Sequence, residues 1–491
     1  MSIFSGTYRI NFPMLMRVIG WLLIIESIFM LIPLLTCIVY GESDYLAFLI
    51  TIAATLVAGI VMTFCIKPSH TSMAKREGFL LTALVWVIFS LIGMMPFMLC
   101  ATPLKLADAF FETMSGFTTT GITVYPSVEH LSHGINMWRC LTQWLGGMGI
   151  ILFTLAVLPM LNHAGGMQMF NAEVTGITHE KLRPRISQTA KTLWGVYFVL
   201  TVLMVLLLWI GPMSFFESLC HAFSSVSTGG FSTMDNSIAH WDSIYIKSVV
   251  IVFMFLGGVN FALIYRAFIG DFKSLRQNDT FMTYLKIIVL AYIAFVITIF
   301  LQHEAKSVES VTIDPLFQII TTMTSTGLTV NNLSNWGPFA ISLIFLLMFF
   351  GACAGSTSGG AKIDRLIFLL RNSNNELYRS IHPNAIRSVR VNGNIISPEV
   401  VSKVIAFLCI YVMIIVLGGV VLTAIGLPTV DSFFNSLSCV SNIGLEADTS
   451  HLGGFSAMPD IAKWILSLLM LTGRLEIFTV LILFTPAFWT K

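Results

Sequence analysis

Small polar side chains stand beside a glycine at four places in the chain. The segments are TTTGITV (118–124), STGGFST (227–233), TSTGLTV (324–330) and SNIGLEA (441–447). Glycine adopts positive φ without steric cost, so neighbouring carbonyl groups can point in one direction. Carbonyl and hydroxyl oxygens replace the hydration shell of K⁺ in filters, whereas divalent cations prefer carboxylates. The four segments therefore predict a site for a monovalent metal ion, K⁺ above all.

The longer segments around these glycines align with one another. FFETMSGFTTTGIT (110–123), LFQIITTMTSTGLT (316–329) and FFNSLSCVSNIGLE (433–446) match without gaps. LCHAFSSVSTGGFS (219–232) also matches and favours Gly230 over the adjacent Gly229 as the filter glycine, although both stay open. A single Thr-Thr-Gly is an ordinary turn, but four copies in register are not. The predicted filter residues are Thr119, Thr120, Gly121, Thr228, Gly229, Gly230, Ser325, Thr326, Gly327, Asn442, Ile443 and Gly444.

The composition is that of a membrane protein. Of 491 residues, 56% are hydrophobic and only 11% are charged, against about 25% charged in soluble domains. The eight cysteines include no CxxC pair and lie mostly in or beside apolar stretches, which favours small buried hydrophobes. A net charge of +2 gives no indication of nucleic-acid binding.

About 20 apolar residues cross a bilayer as a helix, and the chain contains ten such stretches. The predicted spans are 14–37, 46–66, 79–99, 137–161, 192–211, 243–268, 280–301, 338–370, 400–426 and 462–486.

Lysine and arginine concentrate in every second connection between the spans. The basic connections are 67–76, 181–191, 266–276 and 365–403, and on the opposite side Lys105 and Lys306 are the clear exceptions. Because basic loops stay in the cytoplasm, we expect a multi-pass membrane protein with both termini in the cytoplasm.

After an initial hairpin, the remaining eight spans form four pairs, and each pair encloses one glycine segment. Non-helical backbone is tolerated within a membrane only where protein buries it or water reaches it. The predicted fold is therefore an all-α polytopic membrane protein with a pseudo-fourfold, K⁺-channel-like pore. An N-terminal hairpin (1–66) precedes four span–pore-helix–span repeats (79–161, 192–270, 280–372 and 400–491).

The spans after the filters contain glycine-rich interruptions. WLGGMG (144–149) and FLGGVN (255–260) fit either close helix packing or a break in the helix. GACAGSTSGG (351–360) is too polar and flexible for a lipid-facing helix, and predicts an intramembrane loop beneath the filter. The predicted gate consists of Gly351, Gly355, Ser356, Thr357, Ser358, Gly359, Gly360 and Arg474.

Arg474 lies inside the last apolar span, where an ionisable side chain is costly and usually faces a partner or a cavity. Two interpretations stay open. Arg474 forms an ion pair with Glu476 or Glu26, or it stands on the pore axis below the filter as a barrier to cations.

Other polar residues around the predicted pore suggest supporting roles. We expect Lys362 to extend toward the cytoplasm and Glu112 and Glu446 to belong to an acidic outer rim. We expect His221 to pack against the filter backbone.

The repeated filters, the GACAGSTSGG loop and the segment IHPNAIRSVRVNGNIISPEVVSK (381–403) resemble the Trk/Ktr/HKT superfamily of potassium transporters, closest to the bacterial Trk membrane subunit. The resemblance covers the whole chain, although Asn442-Ile443 makes the fourth filter poorer in hydroxyl groups. It implies a homodimer with one pore in each subunit and a cytosolic ring of nucleotide-binding regulatory subunits. It also supports the gate role of the loop and of Arg474.

The predicted function is K⁺ uptake across the bacterial inner membrane, through a channel-like pore with membrane lipid around it. The alternative is a proton- or Na⁺-coupled secondary transporter of K⁺ or another monovalent cation, although such proteins often show inverted repeats. An enzyme is not expected, because GSTSGGAK (355–362) has Ala361 where a phosphate-binding loop needs lysine. Basic segments 181–185 and 365–390 suit either a docking partner or anionic lipid.

Overall fold

The computed structural model describes residues 10–66, 74–157, 186–301, 308–446 and 454–490. Several predictions lie partly outside these residues: the start of the N-terminal hairpin, residues 67–73 and 181–185 of the basic connections, residues 158–161 of the fourth span, and Lys306.

Helices form nearly all of the regular structure. They are α1 (Phe12–Phe29), α2 (Leu31–Tyr40), α3 (Tyr45–Ile60), α4 (Lys75–Gly93), α5 (Met95–Leu99), α6 (Leu106–Phe117), α7 (His133–Val157), α8 (Ile186–Ile210), α9 (Phe215–Val226), α10 (Ile244–Gly257), α11 (Phe261–Phe268), α12 (Phe272–Gln277), α13 (Asp279–Leu301), α14 (Val308–Met323), α15 (Gly337–Phe350), α16 (Ile363–Ile381), α17 (Pro398–Ala424), α18 (Thr429–Val440), α19 (Asp460–Arg474), α20 (Phe478–Leu481) and α21 (Pro486–Trp489). Strands Arg390–Val391 and Asn394–Ile395 pair as a small antiparallel hairpin.

Within the described ranges, six stretches of helix are long and apolar enough to cross a membrane, which confirms a multi-pass, helical fold. They match the first, second, third, fifth, seventh and ninth predicted spans. Their bounds are Phe12–Tyr40, Tyr45–Cys65, Arg76–Leu99, Thr189–Ile210, Asp279–Leu301 and Pro398–Ala424.

Three predicted spans are not continuous helices. α10 and α11 meet at 109°, and the last span bends by 112° between Asp460–Arg474 and Phe478–Phe484. The eighth predicted span, 338–370, is interrupted at the predicted loop, since α15 ends at Phe350 and the chain becomes helical again only at Ile363. Polar and glycine residues at these breaks favour turns over continued helix.

The fourth predicted span behaves differently, since α7 is helical through its glycine run. A Cβ atom on Gly146 would lie less than 3.0 Å from the Phe117 carbonyl oxygen, and one on Gly147 would lie 2.7 Å from Ser227 Cβ. Of the two interpretations of WLGGMG, close packing is therefore the one observed.

Four short helices, α6, α9, α14 and α18, end where the four glycine segments begin. In α6, ten of the twelve residues are buried, and they include the polar residues Glu112, Thr113 and Ser115. Each short helix lies between the two longer helices of its repeat. The longer helices surround the short ones and shield their backbone from lipid.

Ion pairs of two buried lysines connect neighbouring repeats at the starts of two of these short helices. Lys463 of α19 binds Asp108 of α6, and Lys247 of α10 binds both Asp314 (2.8 Å) and Glu309 (2.6 Å) of α14. Lys463 lies ten residues before Gly473, and Lys247 lies ten residues before Gly257. Both glycines lie at the bend of their span. The two contacts are therefore equivalent across the repeats.

Replacing Lys463 by Met should destabilise the protein by about 2 kcal/mol, because the Asp108 carboxylate, which is only 17% exposed, loses its cation. The thermal midpoint of unfolding of the purified protein in detergent measures this loss. Arg379→Met is the control, since the Arg379–Glu376 pair is exposed on both sides and such pairs contribute little. Equal midpoints for the two variants would contradict the prediction.

Candidate ion filter and gate

The four glycine segments share one backbone conformation. Gly121, Gly230, Gly327 and Gly444 have φ of +87°, +91°, +78° and +81°. Two residues earlier, the non-glycine residues also have positive φ, between 51° and 54°. These are Thr119, Thr228, Ser325 and Asn442. Left-handed backbone at a non-glycine residue is uncommon, so its fourfold recurrence marks one shared structure.

Hydrogen bonds to the preceding short helix hold each segment. In the first, the Thr119 amide donates to Gly116 O and the Thr120 amide to Ser115 O, both at 2.9 Å. The equivalent bonds in the other three segments measure 2.7–3.2 Å. The backbone N–H groups are thus satisfied by the helix ends, which leaves the carbonyl groups to face elsewhere.

The four segments converge into a closed ring. A Cβ atom built on any of the four glycines would lie less than 3.0 Å from the carbonyl oxygen that precedes the glycine of a neighbouring segment. The meetings are Gly121 with Gly229 O, Gly230 with Thr326 O, Gly327 with Ile443 O, and Gly444 with Thr120 O. Each segment therefore contacts the next around one axis, and no larger residue fits at the glycine.

The ring also distinguishes the two adjacent glycines of the second segment. Gly230 has the positive φ and the neighbour contact of the other three glycines. Gly229 lacks both features and lies against the Gln143 side chain instead. The alignment that favoured Gly230 agrees with this placement.

Several filter hydroxyl groups bind one another and not the ring centre. Thr118 and Thr120 pair through their hydroxyls at 2.8 Å, as do Thr324 and Thr326. The side-chain Nδ2 of Asn442 donates to Thr120 Oγ1 at 3.0 Å. The backbone carbonyl oxygens are therefore the main ligands that this ring can offer to an ion.

A vestibule of about 520 Å³ opens on one side of the ring and reaches all four ring glycines. Its wall includes Arg139, Asp235 and Glu446. Glu446 is exposed, and its side chain lines the vestibule.

A ring of buried polar residues lies nine positions before the four glycines: Glu112, His221, Gln318 and Asn435. The prediction that Glu112 belongs to an acidic outer rim was wrong, because its side chain is only 1% exposed. It binds Arg139 Nε at 2.7 Å, the Val124 amide and the Thr123 hydroxyl. The alignment of the four repeats contains the signal for this position, because each repeat has a polar residue nine positions before its ring glycine.

His221 lies behind the second filter segment, as expected. Its Nδ1 is 2.8 Å from Glu217 O, and its Nε2 is 3.0 Å from the hydroxyl of Ser232. The imidazole therefore joins the short helix to the chain just beyond the filter.

The segment 351–362 forms a non-helical loop on the side of the ring opposite the vestibule. The Gly359 amide donates to Ser325 Oγ at 2.6 Å, and Thr357 Oγ1 donates to Gly257 O at 3.1 Å. Ser356 and Ser358 bind each other through their hydroxyls at 2.9 Å. The loop thus touches the filter of its own repeat.

The break between α10 and α11 holds the other end of this loop. Asn260 Nδ2 donates to Ala354 O at 2.8 Å, and the Phe261 amide donates to Gly355 O at 3.1 Å. Gly351, Gly355 and Gly360 all have positive φ. At Gly355 a Cβ atom would also lie 2.6 Å from Asn260 Nδ2, so the close contact requires glycine there.

Arg474 connects this loop to the first repeat. Its Nη1 donates to Thr357 O at 3.0 Å and its Nη2 to Gly146 O at 2.8 Å. Glu476, a proposed ion-pair partner, binds Arg365 at 2.7 Å. Among the described residues, neither carboxylate oxygen of the other proposed partner, Glu26, has a hydrogen-bond partner.

The prediction that Lys362 extends toward the cytoplasm was wrong. Lys362 is 5% exposed, and its ammonium group donates to Ser358 O at 2.7 Å. The side chain turns back because the loop supplies a carbonyl acceptor within reach. Two cationic groups, Lys362 and Arg474, therefore bind carbonyl oxygens of the same loop.

The arrangement offers backbone oxygen ligands to a monovalent cation. In the described part of the chain, no group of three His, Cys, Asp or Glu side chains could hold a metal ion. An open vestibule, a ring of carbonyl oxygens and the Arg474 side chain lie in series.

Known proteins are similar to this chain in sequence. A family model described as TrkH, cation transport protein, matches residues 45–280 and 275–491. The "Trk system potassium uptake protein TrkH" of Escherichia coli K12 is 35% identical over 490 residues, covering 98% of this chain and 100% of the relative. The TrkG protein of that organism is 32% identical over 476 residues, covering 96% of this chain and 97% of the relative.

The similarity extends to three dimensions. The crystal structure of the potassium transporter TrkH from Vibrio parahaemolyticus superposes with a TM-score of 0.88 at 32% sequence identity. The match covers 98% of this chain and 100% of that structure.

Replacing Asn260 by Ala should loosen the loop, because it removes the bond to Ala354 O and the cap on the Ala262 amide. We expect faster hydrogen exchange of the Cys353 and Thr357 amides, measured by mass spectrometry.

Asn278→Ala is the matched control. Asn278 caps the Phe281 amide at 2.9 Å at a helix start, so its loss costs a similar cap. Equal exchange in the loop for both variants would show that Asn260 acts only as a helix cap.

Proposed function

The chain belongs to the TrkH family of cation transport proteins, and on this premise we propose that it takes up K⁺ across the bacterial inner membrane. The observation that carries the proposal is the closed ring of four left-handed glycine segments with their carbonyl oxygens between them. Relatives with 34–35% identity over nearly the whole chain are named potassium uptake proteins.

Selectivity arises in the ring. A cation that arrives from the vestibule exchanges its water for carbonyl oxygens, and the number and spacing of those oxygens favour K⁺ and Rb⁺ over the more strongly hydrated Na⁺. Hydrogen bonds from the filter amides to the short helices hold the oxygens in place. The proposed ligand set is that of the twelve predicted filter residues, with Gly230 as the ring glycine of the second segment.

The loop 351–360 and Arg474 form the gate. The guanidinium group places a fixed positive charge below the filter while it binds Thr357 O and Gly146 O. A cation that leaves the filter meets this charge at low dielectric, where repulsion is strong. Opening therefore requires Arg474 and the loop to move away together.

The proposed assembly is a homodimer with a separate nucleotide-binding ring on the cytoplasmic side. Its support is the name of the relatives, which assigns them to a Trk system, and a basic surface of α16, the hairpin and the segment between them. That surface includes Arg371, Arg379, Arg387 and Arg390. Both termini would lie on this same side.

Flux of Rb⁺ and Na⁺ into liposomes that contain the purified protein tests the function. We expect Rb⁺ influx that K⁺ inhibits and Na⁺ does not. An imposed pH or Na⁺ gradient should change the rate only through the membrane potential. Strict coupling of K⁺ movement to either gradient would instead favour a secondary transporter.

Replacing Gly327 by Ala should lower K⁺/Na⁺ selectivity at least tenfold, because a Cβ atom at φ +78° would push into Ile443 O of the next segment. The relative Rb⁺ and Na⁺ influx of the variant measures the effect.

Gly393→Ala is the matched control. Gly393 also has φ of +78°, but a Cβ atom there would meet nothing within 4 Å. The two variants share the backbone strain and differ in the carbonyl contact. Unchanged selectivity in Gly327→Ala would refute the filter assignment.

Replacing Arg474 by Ala should raise Rb⁺ influx severalfold, because it removes both the charge and the bonds that hold the loop. Arg474→Lys keeps the charge and should change influx much less. Lower protein yield without any gain in influx per molecule would favour a purely structural role for Arg474.

A further inference from the structure

One residue breaks the pattern of the helices that follow the filters. Three positions before Gly257, Gly351 and Gly473 the chain has methionine, at Met254, Met348 and Met470. Three positions before Gly146 it has Gln143. All four side chains are 0% exposed. A fully buried amide is costly unless it is hydrogen-bonded, so Gln143 needs partners that the methionines do not.

Those partners lie in the filter of the next repeat. Gln143 Nε2 donates to Gly229 O at 2.7 Å, and Gln143 Oε1 accepts from the Phe231 amide at 3.0 Å. The two bonds fall on either side of Gly230. A single side chain from the first repeat therefore fixes the backbone orientation of the second filter segment at its ring glycine.

The second filter segment also departs from the others at the position before the ring glycine. The other three segments have Thr120, Thr326 and Ile443 there, but this segment has Gly229. Gly229 does not have positive φ, so backbone conformation does not require glycine.

Space does require it. A Cβ atom on Gly229 would lie 2.6 Å from Gln143 Oε1 and 2.9 Å from Gln143 Cβ. The amide of Gln143 thus occupies the room that a side chain at position 229 would fill. The two departures from the fourfold pattern, glutamine at 143 and glycine at 229, match each other.

Resting on the proposed function, we propose that Gln143 is a positioning residue for selectivity, which supplies from the first repeat the side chain that the second filter segment lacks. Together with Gly229 it holds this quarter of the ring in the geometry of the other three. The ion itself touches the carbonyl oxygens and not Gln143.

The pairing predicts that neither residue can change alone. Gln143→Met, the residue of the other three repeats, removes both hydrogen bonds and leaves Gly229 O free to rotate. Gly229→Thr, the residue of the first and third segments, collides with Gln143. The double variant Gln143→Met/Gly229→Thr has methionine and threonine at these two positions. The same combination occurs one repeat later, where Met254 corresponds to position 143 and Thr326 to position 229.

The experiment compares the wild type, the two single variants and the double variant in liposomes, with the ratio of Rb⁺ to Na⁺ influx as the readout. We expect each single variant to lower the ratio about tenfold, as the loss of two buried hydrogen bonds suggests. We expect the double variant to return to within about threefold of the wild type, because residues in contact are not additive.

The ratio is independent of how much protein inserts, and thermal midpoints report folding separately. If Gln143→Met is poorly folded, Gln143→Asn tests the same idea, since it keeps the amide but is one methylene shorter. A wild-type ratio in both Gln143→Met and Gln143→Asn would overturn the proposal. A double variant no better than the worse single variant would also overturn it. Failure of the proposed function would appear differently, as a wild-type protein that does not discriminate K⁺ from Na⁺.

Discussion

The central constraint on this molecule is that non-helical backbone lies within a membrane protein without exposure to lipid. Every amide and carbonyl group in such a segment needs a partner or a route to water. The four filter segments meet this need with their amides bound to the short helices and their carbonyls directed toward one another's glycines. The long helices serve to enclose this ring, and their packing depends on it.

A fourfold ring built from one chain does not need four identical repeats. Each quarter keeps the same φ angles but is held by different neighbours. Arg139 and Glu112 support the first, Gln143 the second, the loop through Gly359 the third, and the Asn442 side chain, bound to Met470 O, the fourth. The backbone geometry is thus common to the repeats, while the side-chain contacts that maintain it differ.

Glycine has two separate uses below the ring. In α7 it removes side chains so that the helix can approach Phe117 O and Ser227. In segment 351–360 it allows positive φ and the tight contact with Asn260. The first use builds a rigid wall and the second a loop, and Arg474 joins the two by binding Gly146 O and Thr357 O. The loop is therefore attached to the wall of the first repeat.

The sequence by itself determined the membrane class and the fourfold repeat, because each depends on composition or on residues at fixed spacing along the chain. It favoured Gly230 over Gly229 but left both open, and the φ angles and contacts of the structure distinguish the two. It also predicted the loop at 351–360, since so many polar and glycine residues cannot continue an apolar helix. Only the tertiary structure decided that WLGGMG stays helical, that Lys362 turns inward and that Glu112 is buried beside Arg139. It alone revealed the pairing of Gln143 with Gly229. These outcomes depend on which groups from distant repeats come within hydrogen-bond reach, and local sequence does not encode that distance.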